Sequence, residues 1–294
     1  MNHVPLSAAS VLVIYCAFVL LASLAGGWWL LAMRLTHARL QTAVSFVSGL
    51  MLGMALLHFI PDAFDQNHSV DQTMRLALGG FLVMFFLQRL FPHHHHDVSE
   101  EAPEHGHTGG EQPHRRGVST GNGPATHTLA EQSARQLSWV ATTIGMAFHS
   151  LLGGVALAAP VAAEGGGHGG LVGLGTALVI VLHKPFDAMA VSTLMAASGC
   201  SRFARHLLNG FFALVTPLGA VLFYVGASQF AGANPAFLGG ALAFCAGTFL
   251  CIACADLLPE LQFHSHDRLK LSLALAAGLG IAILIGQLEG LWTS

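Results

Sequence analysis

Charge is what this sequence has least of. Only 9% of its 294 residues are Asp, Glu, Lys or Arg, while 53% are hydrophobic and the mean hydropathy is +0.62. A soluble domain carries about 25% charged residues, so the composition excludes one and points to a membrane protein. The first apolar run has no basic leader and no small-residue cleavage site, and at about 25 residues it is too long for the core of a signal peptide. It reads as a retained helix. Cysteine is sparse too. Four of the five, Cys16, Cys245, Cys251 and Cys254, fall within apolar runs, and Cys200 sits at an inner helix end in reducing surroundings. Cys251 and Cys254 form a C-x-x-C that reads as small apolar filler rather than a redox or soft-metal pair.

What the sequence has in quantity is apolar length. Eight runs reach the ~20 residues that cross a bilayer, at roughly 8–33, 41–62, 73–91, 136–160, 171–197, 203–229, 235–260 and 269–290. The expected fold is an all-α integral membrane protein with eight transmembrane helices. With the N-terminus outside, the inner loops and helix ends hold Arg34, Arg39, Arg89, Arg115, Arg116, Arg135, Arg202, Arg205, Arg268 and Lys270, ten of the twelve Lys and Arg. That bias follows the positive-inside rule and puts both termini on the non-cytoplasmic face. The chain divides into 1–91 with spans 1–3, a cytoplasmic loop 92–135, 136–197 with spans 4 and 5, and 198–294 with spans 6–8.

The loop is rich in Gly, Pro, Ser, Thr and Glu, a composition that stays disordered. It carries His93, His94, His95, His96, His105, His107, His114 and His127. Such tracts suggest metal capture, here weak and mobile, as a cytoplasmic sink or sensor.

A repeat links the second and seventh spans. FVSGLMLGMALLHFIPD at 46–62 aligns with FCAGTFLCIACADLLPE at 244–260 at a constant offset of 198 positions. Phe46 matches Phe244, Gly49 matches Gly247, Leu52 matches Leu250, Ala55 matches Ala253 and Pro61 matches Pro259; His58 falls on Asp256 and Asp62 on Glu260. The two segments run in opposite directions across the membrane, so the halves form an inverted repeat of spans 1–3 and 6–8 around spans 4 and 5, a scaffold used for alternating access.

Chemistry concentrates between the halves. His149 lies in span 4, His183 and Asp187 in span 5, each near the expected midplane, and His183 and Asp187 are one turn apart on one helix face. Ionisable groups at that depth are costly and mark an ion or substrate path. Two imidazoles and a carboxylate suit zinc, and iron(II), manganese and cobalt accept the same set. Pro185 removes a backbone hydrogen bond beside them, which kinks the helix and frees a carbonyl. Lys184 is expected either to pair with Asp187 in the metal-free state or to stand in for a second cation, and the Ser150 hydroxyl to bond back to its own helix. The repeat supplies weak relay sites: His58, Asp62 and Asp65 at the outer mouth, Asp256, Glu260, His264 and His266 toward the inner one. Helix capping beside Pro61 and Pro259 is the competing role for any one of these residues.

These residues resemble the ZIP family of divalent-metal transporters. GLMLGMALLHFIPDAF is similar to the family's second helix and AGTFLCIACADLLPEL to its seventh. AFHSLLGGVALA and LHKPFDAMAV resemble helices 4 and 5 of the branch whose motifs read H-S-x-x-E-G and H-K-x-x-x-A. The resemblance implies import of a divalent ion toward the cytoplasm (zinc first, with cadmium, iron, manganese or cobalt as other cargo), a 3+2+3 helix arrangement, a homodimer in the lipid bilayer and elevator-like motion. It departs at Gly153, where the family's fourth helix carries a glutamate, and at Lys184, where two-metal members hold a second-site ligand. It therefore implies a single transport metal on His149, His183 and Asp187, with Asp187 in an acidic position that many relatives keep.

Two other functions compete. Intramembrane zinc hydrolases use His, Asp and Ser with metal-activated water, but no third His stands at matching depth here. A metal sensor would make the His loop its working part. The repeat and the paired mouths have a purpose in a carrier, so the expectation is a transporter and not an enzyme, with no resident cofactor and no nucleic-acid partner.

Overall fold

A computed structural model of the chain describes residues 7–30, 37–90, 129–163, 173–226, 235–257 and 268–293. Among them regular structure is entirely helical: α1 (Ala8–Ala25), α2 (His37–Met54), α3 (Ile60–Asn67), α4 (Val70–Leu90), α5 (Leu129–Ala163), α6 (Leu174–Ala197), α7 (Arg202–Gly226), α8 (Pro235–Cys251) and α9 (Arg268–Thr293). Eight stretches are long and apolar enough to span a membrane, α2 and α3 together making the second. With no water in a bilayer core to pair with backbone groups, an all-helical solution is the one these apolar runs allow.

Three π turns interrupt the α pattern, at Gly26–Leu30, Ala55–Phe59 and Ile252–Leu257. The second accommodates Pro61, which has no N–H to give. Ile60 donates five residues back to the Ala55 carbonyl, and the helix then continues past the proline. The second span therefore does not end near residue 62 as expected. It reaches Asn67, where His68 takes a left-handed conformation (φ 52°) and returns its N–H to Phe64 at 2.7 Å. The third π turn stands at the matching place in the seventh span, just ahead of Pro259. The 35-residue α5 begins at Leu129, inside the stretch expected to be loop, because LAEQSARQL is built of strong helix formers. Pro185 does not end α6, which runs on to Ala197.

Side-by-side pairs organise the bundle. α2 lies along α9, α4 along α8 and α5 along α7, while α1 packs on both α6 and α7; α5 also reaches α8, and α2 reaches α6. Lipid tails are as apolar as leucine, so close van der Waals contact at small residues holds such helices together rather than exclusion of water. Gly49 of α2 is pressed against the Leu275 carbonyl of α9, and Gly278 of α9 against that of Phe46. In the other pair Gly247 of α8 meets Ala77 of α4, and Gly80 of α4 meets Phe244. Each contact maps onto its counterpart at the offset of 198 positions. Between the pairs lies a core built on Leu50, Met51, Met54, Phe59, Phe249 and Ala253.

Candidate metal centre

α5 and α6 meet face to face, and their contact carries His149 from one and His183 and Asp187 from the other. The residues are 1%, 2% and 7% exposed. His149 Nε2 lies 3.9 Å from Asp187 Oδ2, and His183 Nε2 lies 3.8 Å from the same oxygen. One donor atom from each residue falls within 4.8 Å of the others, the one such group of His, Cys, Asp or Glu among the described residues.

The surroundings orient these donor atoms. His183 Nδ1 is 2.8 Å from the Val179 carbonyl, which can only accept. That bond fixes the proton on Nδ1 and leaves the Nε2 lone pair turned toward Asp187, the usual way a second contact orients a metal-binding imidazole. Asp187 Oδ2 and His149 Nδ1 are buried and have no hydrogen-bond partner among the described residues. Such groups are costly in a low-dielectric interior, and a bound cation would satisfy the carboxylate. A tetrahedral zinc ion with bonds of ~2.0–2.1 Å holds neighbouring donors about 3.3 Å apart. Each imidazole–carboxylate gap thus has to close by about half an ångström, a side-chain adjustment. By residue type, two imidazoles and a carboxylate are a donor set that suits zinc.

Phe249 of α8 closes the third side. Its ring centroid is 4.8 Å from that of His149 and 5.8 Å from that of His183, and it meets Phe59 edge-on at 5.3 Å. The sequence reading missed this residue; its segment carried the family resemblance, but ring contact between helices leaves no mark in a linear pattern.

Lys184 takes a course the sequence did not suggest. Its ammonium donates to Ser150 Oγ at 2.6 Å and sits 4.5 Å over the Phe212 ring of α7, with no ion pair to Asp187 among the described residues. Ser150 accordingly bonds across to α6. An oxygen acceptor and an aromatic face together lower the cost of a buried ammonium.

The expected outer cluster is divided. His58 is buried in the π turn, where its Nε2–H donates to the Ala282 carbonyl of α9 at 2.8 Å. Asp62 and Asp65 are exposed on α3. Asp256 lies on the π turn Ile252–Leu257. Glu260, His264 and His266, and the loop histidines His93, His94, His95, His96, His105 and His107, lie outside the described residues.

A sequence model described as ZIP Zinc transporter matches residues 9–286, nearly the whole chain. The chain belongs to the ZIP family. Among similar proteins, zinc transporter ZIP9-B of Xenopus laevis is 35% identical over 136 residues, 44% of this chain and 43% of that protein. Zinc transporter ZIP9 of Micropogonias undulatus is 35% identical over 143 residues, 46% of this chain and 44% of that protein. The aligned part spans less than half the length of either relative. The His149–His183–Asp187 cluster thus lies on two adjacent helices of a ZIP-family chain, each long and apolar enough to span a membrane.

Proposed function

We propose that this chain carries a divalent transition-metal ion, zinc foremost, across the membrane toward the cytoplasm by alternating access. The observation that carries the reading is the convergence of His149 Nε2, His183 Nε2 and Asp187 Oδ2 on one buried point inside two spans. Membership of a transporter family and relatives named as zinc transporters favour zinc as cargo. Cadmium, iron, manganese and cobalt can use the same donors.

The alternating-access part rests on the repeat. Exchanging spans 1, 2, 3 and 4 with 6, 7, 8 and 5 turns the packing of α2 on α9 into that of α8 on α4, and the packing of α5 on α7 into that of α6 on α1. Such a two-fold relation supports a 3+2+3 inverted repeat, whose two halves can exchange conformations and so open the site to each side in turn. The excess of Lys and Arg on inner loops supports termini outside and the His-rich loop in the cytoplasm, where it would take up released metal. In this reading Asp62 and Asp65 serve the outer mouth, Asp256, Glu260, His264 and His266 the inner one, and the chain works as a homodimer.

The experiment is zinc and cadmium uptake into proteoliposomes bearing the intact chain or the His183→Ala, Asp187→Ala double variant. Saturable uptake that the variant loses is the expected result. Equal uptake by both, or none by the intact chain in vesicles with verified insertion, overturns the proposal. Deleting residues 93–127 is expected to leave transport in place and change its response to cytoplasmic metal.

A further inference from the structure

α2 and α9 run parallel along their contact. Ser45 of α2 donates to the Leu271 carbonyl at 2.6 Å, and Gly53, about two turns on, faces Ala282. Both helices therefore begin at one end of the bundle, at His37 and Arg268, the end that the proposed orientation puts in the cytoplasm. There a groove of about 660 Å³ lies between them. Arg39 and Lys270, each exposed and in the first turn of its helix, line its start, and the half-buried Thr42, Ala43, Phe46 and Ala274 line the rest. Phe46 is seven residues past Arg39, about 10 Å further into the span at 1.5 Å per residue. The Thr42 hydroxyl donates to the Ala38 carbonyl of its own helix at 2.9 Å, so the walls beyond the two cations are mainly methyl and ring surface.

The groove is thus cationic at one end and apolar beyond it. Neither the Arg39 nor the Lys270 side chain has an ion pair or hydrogen bond among the described residues. Nor does α2 or α9 hold an acidic residue before Glu289, near the far end of α9. The α9 span is also sparsely covered, with 28% of it buried, so its surroundings in a membrane are lipid. Unpaired basic groups at the cytoplasmic end of apolar spanning helices suit the headgroup of an anionic lipid.

We propose that this groove is a binding site for one anionic phospholipid of the inner leaflet. Its phosphate sits between Arg39 and Lys270, and an acyl chain lies along Ala43, Phe46 and Ala274. The guanidinium offers a forked donor and the ammonium a point charge to the phosphate oxygens. A lipid held this way joins the inner ends of α2 and α9. The site does not depend on the carrier reading, and its test needs no transport.

The test titrates the chain in detergent with phosphatidylglycerol or phosphatidylcholine of the same acyl chains and counts bound lipid by native mass spectrometry. Phosphatidylglycerol is expected to bind about tenfold more tightly. The Arg39→Gln, Lys270→Gln double variant is expected to lose that preference. An Arg89→Gln, Arg202→Gln variant, which removes two exposed cations from the same side elsewhere, is expected to keep it. Equal binding of the two lipids overturns the proposal, and so does a preference that both variants lose alike, which would be general attraction to a basic surface. Ala274→Phe fills the groove and leaves both cations in place. It is expected to weaken phosphatidylglycerol binding at least fivefold in protein of unchanged Tm, and undiminished binding overturns the acyl-chain placement. Displacement of the lipid by inorganic phosphate at equal concentration would make a soluble anion the occupant and overturns the lipid assignment.

Discussion

Lys184 Nζ lies 2.6 Å from Ser150 Oγ, so the residues that immediately follow the two candidate metal-binding histidines are bonded to each other across α5 and α6. The bond ties the two ligand-bearing helices together and holds a cation close to the point where His149, His183 and Asp187 converge. Lys184→Met keeps most of the side-chain length and removes the charge. Repulsion between an ammonium and a divalent ion opposes binding, so zinc affinity is expected to rise about tenfold, or about 1.4 kcal/mol, in a competition titration with a chromophoric chelator. Ser150→Ala leaves the buried ammonium without that acceptor and should cost about 1–3 kcal/mol, read as a lower Tm in detergent. If Lys184→Met weakened zinc binding, the ammonium would instead have to be holding the centre in shape.

Asp187 supplies the one formal negative charge among the three converging donors. Asp187→Asn preserves volume and exchanges a carboxylate oxygen for an amide. The expected loss of zinc affinity is at least a hundredfold, about 2.7 kcal/mol or more, with little change in Tm, because the unpaired buried oxygen is itself a burden on the metal-free fold. Isothermal titration and thermal unfolding of the same preparation separate the two effects. A large fall in Tm without loss of binding would make Asp187 a structural residue.

How much of this was legible in the sequence depends on range. Eight spans follow from apolar length, and His149, His183 and Asp187 stood out because ionisable groups are rare at that depth. The offset of 198 positions, read from the second and seventh spans, carries over to the glycine contacts at Gly80 in the third span and Gly278 in the eighth. The π turns were not legible, since their hydrogen-bond register leaves no hydropathy signal; only the proline after two of them hinted at a break. His58 looked like a mouth ligand because its neighbours Asp62 and Asp65 are acidic, whereas the π turn carries it inward to the Ala282 carbonyl. Of the two roles expected for Lys184, the pairing with Asp187 gives way to Ser150 and the Phe212 ring of α7, contacts between helices that no local pattern connects to residue 184.

The glycine contacts make a matched prediction. Gly49→Ala and Gly247→Ala each drive a methyl into a carbonyl of the partner helix, on Leu275 and Ala77 respectively. Because the two sites correspond through the repeat, both variants are expected to lose similar stability, about 1–3 kcal/mol each as for overpacking elsewhere. Gly79→Ala, whose Cβ meets nothing within 4 Å among the described residues, is expected to be neutral or to gain up to about 1 kcal/mol from helix propensity. Thermal unfolding of the three variants checks this. Unequal losses at 49 and 247 would argue that the two helix pairs are not equivalent.

Gly153 offers the most direct manipulation of the centre, since it is one turn from His149 on the same face and a Cβ there meets nothing within 4 Å among the described residues. Gly153→Glu would bring a second carboxylate toward the ion, where the family's fourth helix carries a glutamate. With a fourth protein donor the ion no longer depends on water to complete a tetrahedral set. Zinc affinity is expected to increase about ten- to a hundredfold, about 1.4–2.7 kcal/mol. Turnover should fall by a comparable factor, because tighter ground-state binding slows release and the side chain narrows the space beside His149. Zinc titration gives the first quantity and initial uptake rates in proteoliposomes the second. Tighter binding with unchanged maximal uptake would mean that release from this centre does not limit transport. Unchanged binding would mean that the space over Gly153 does not open onto the ion.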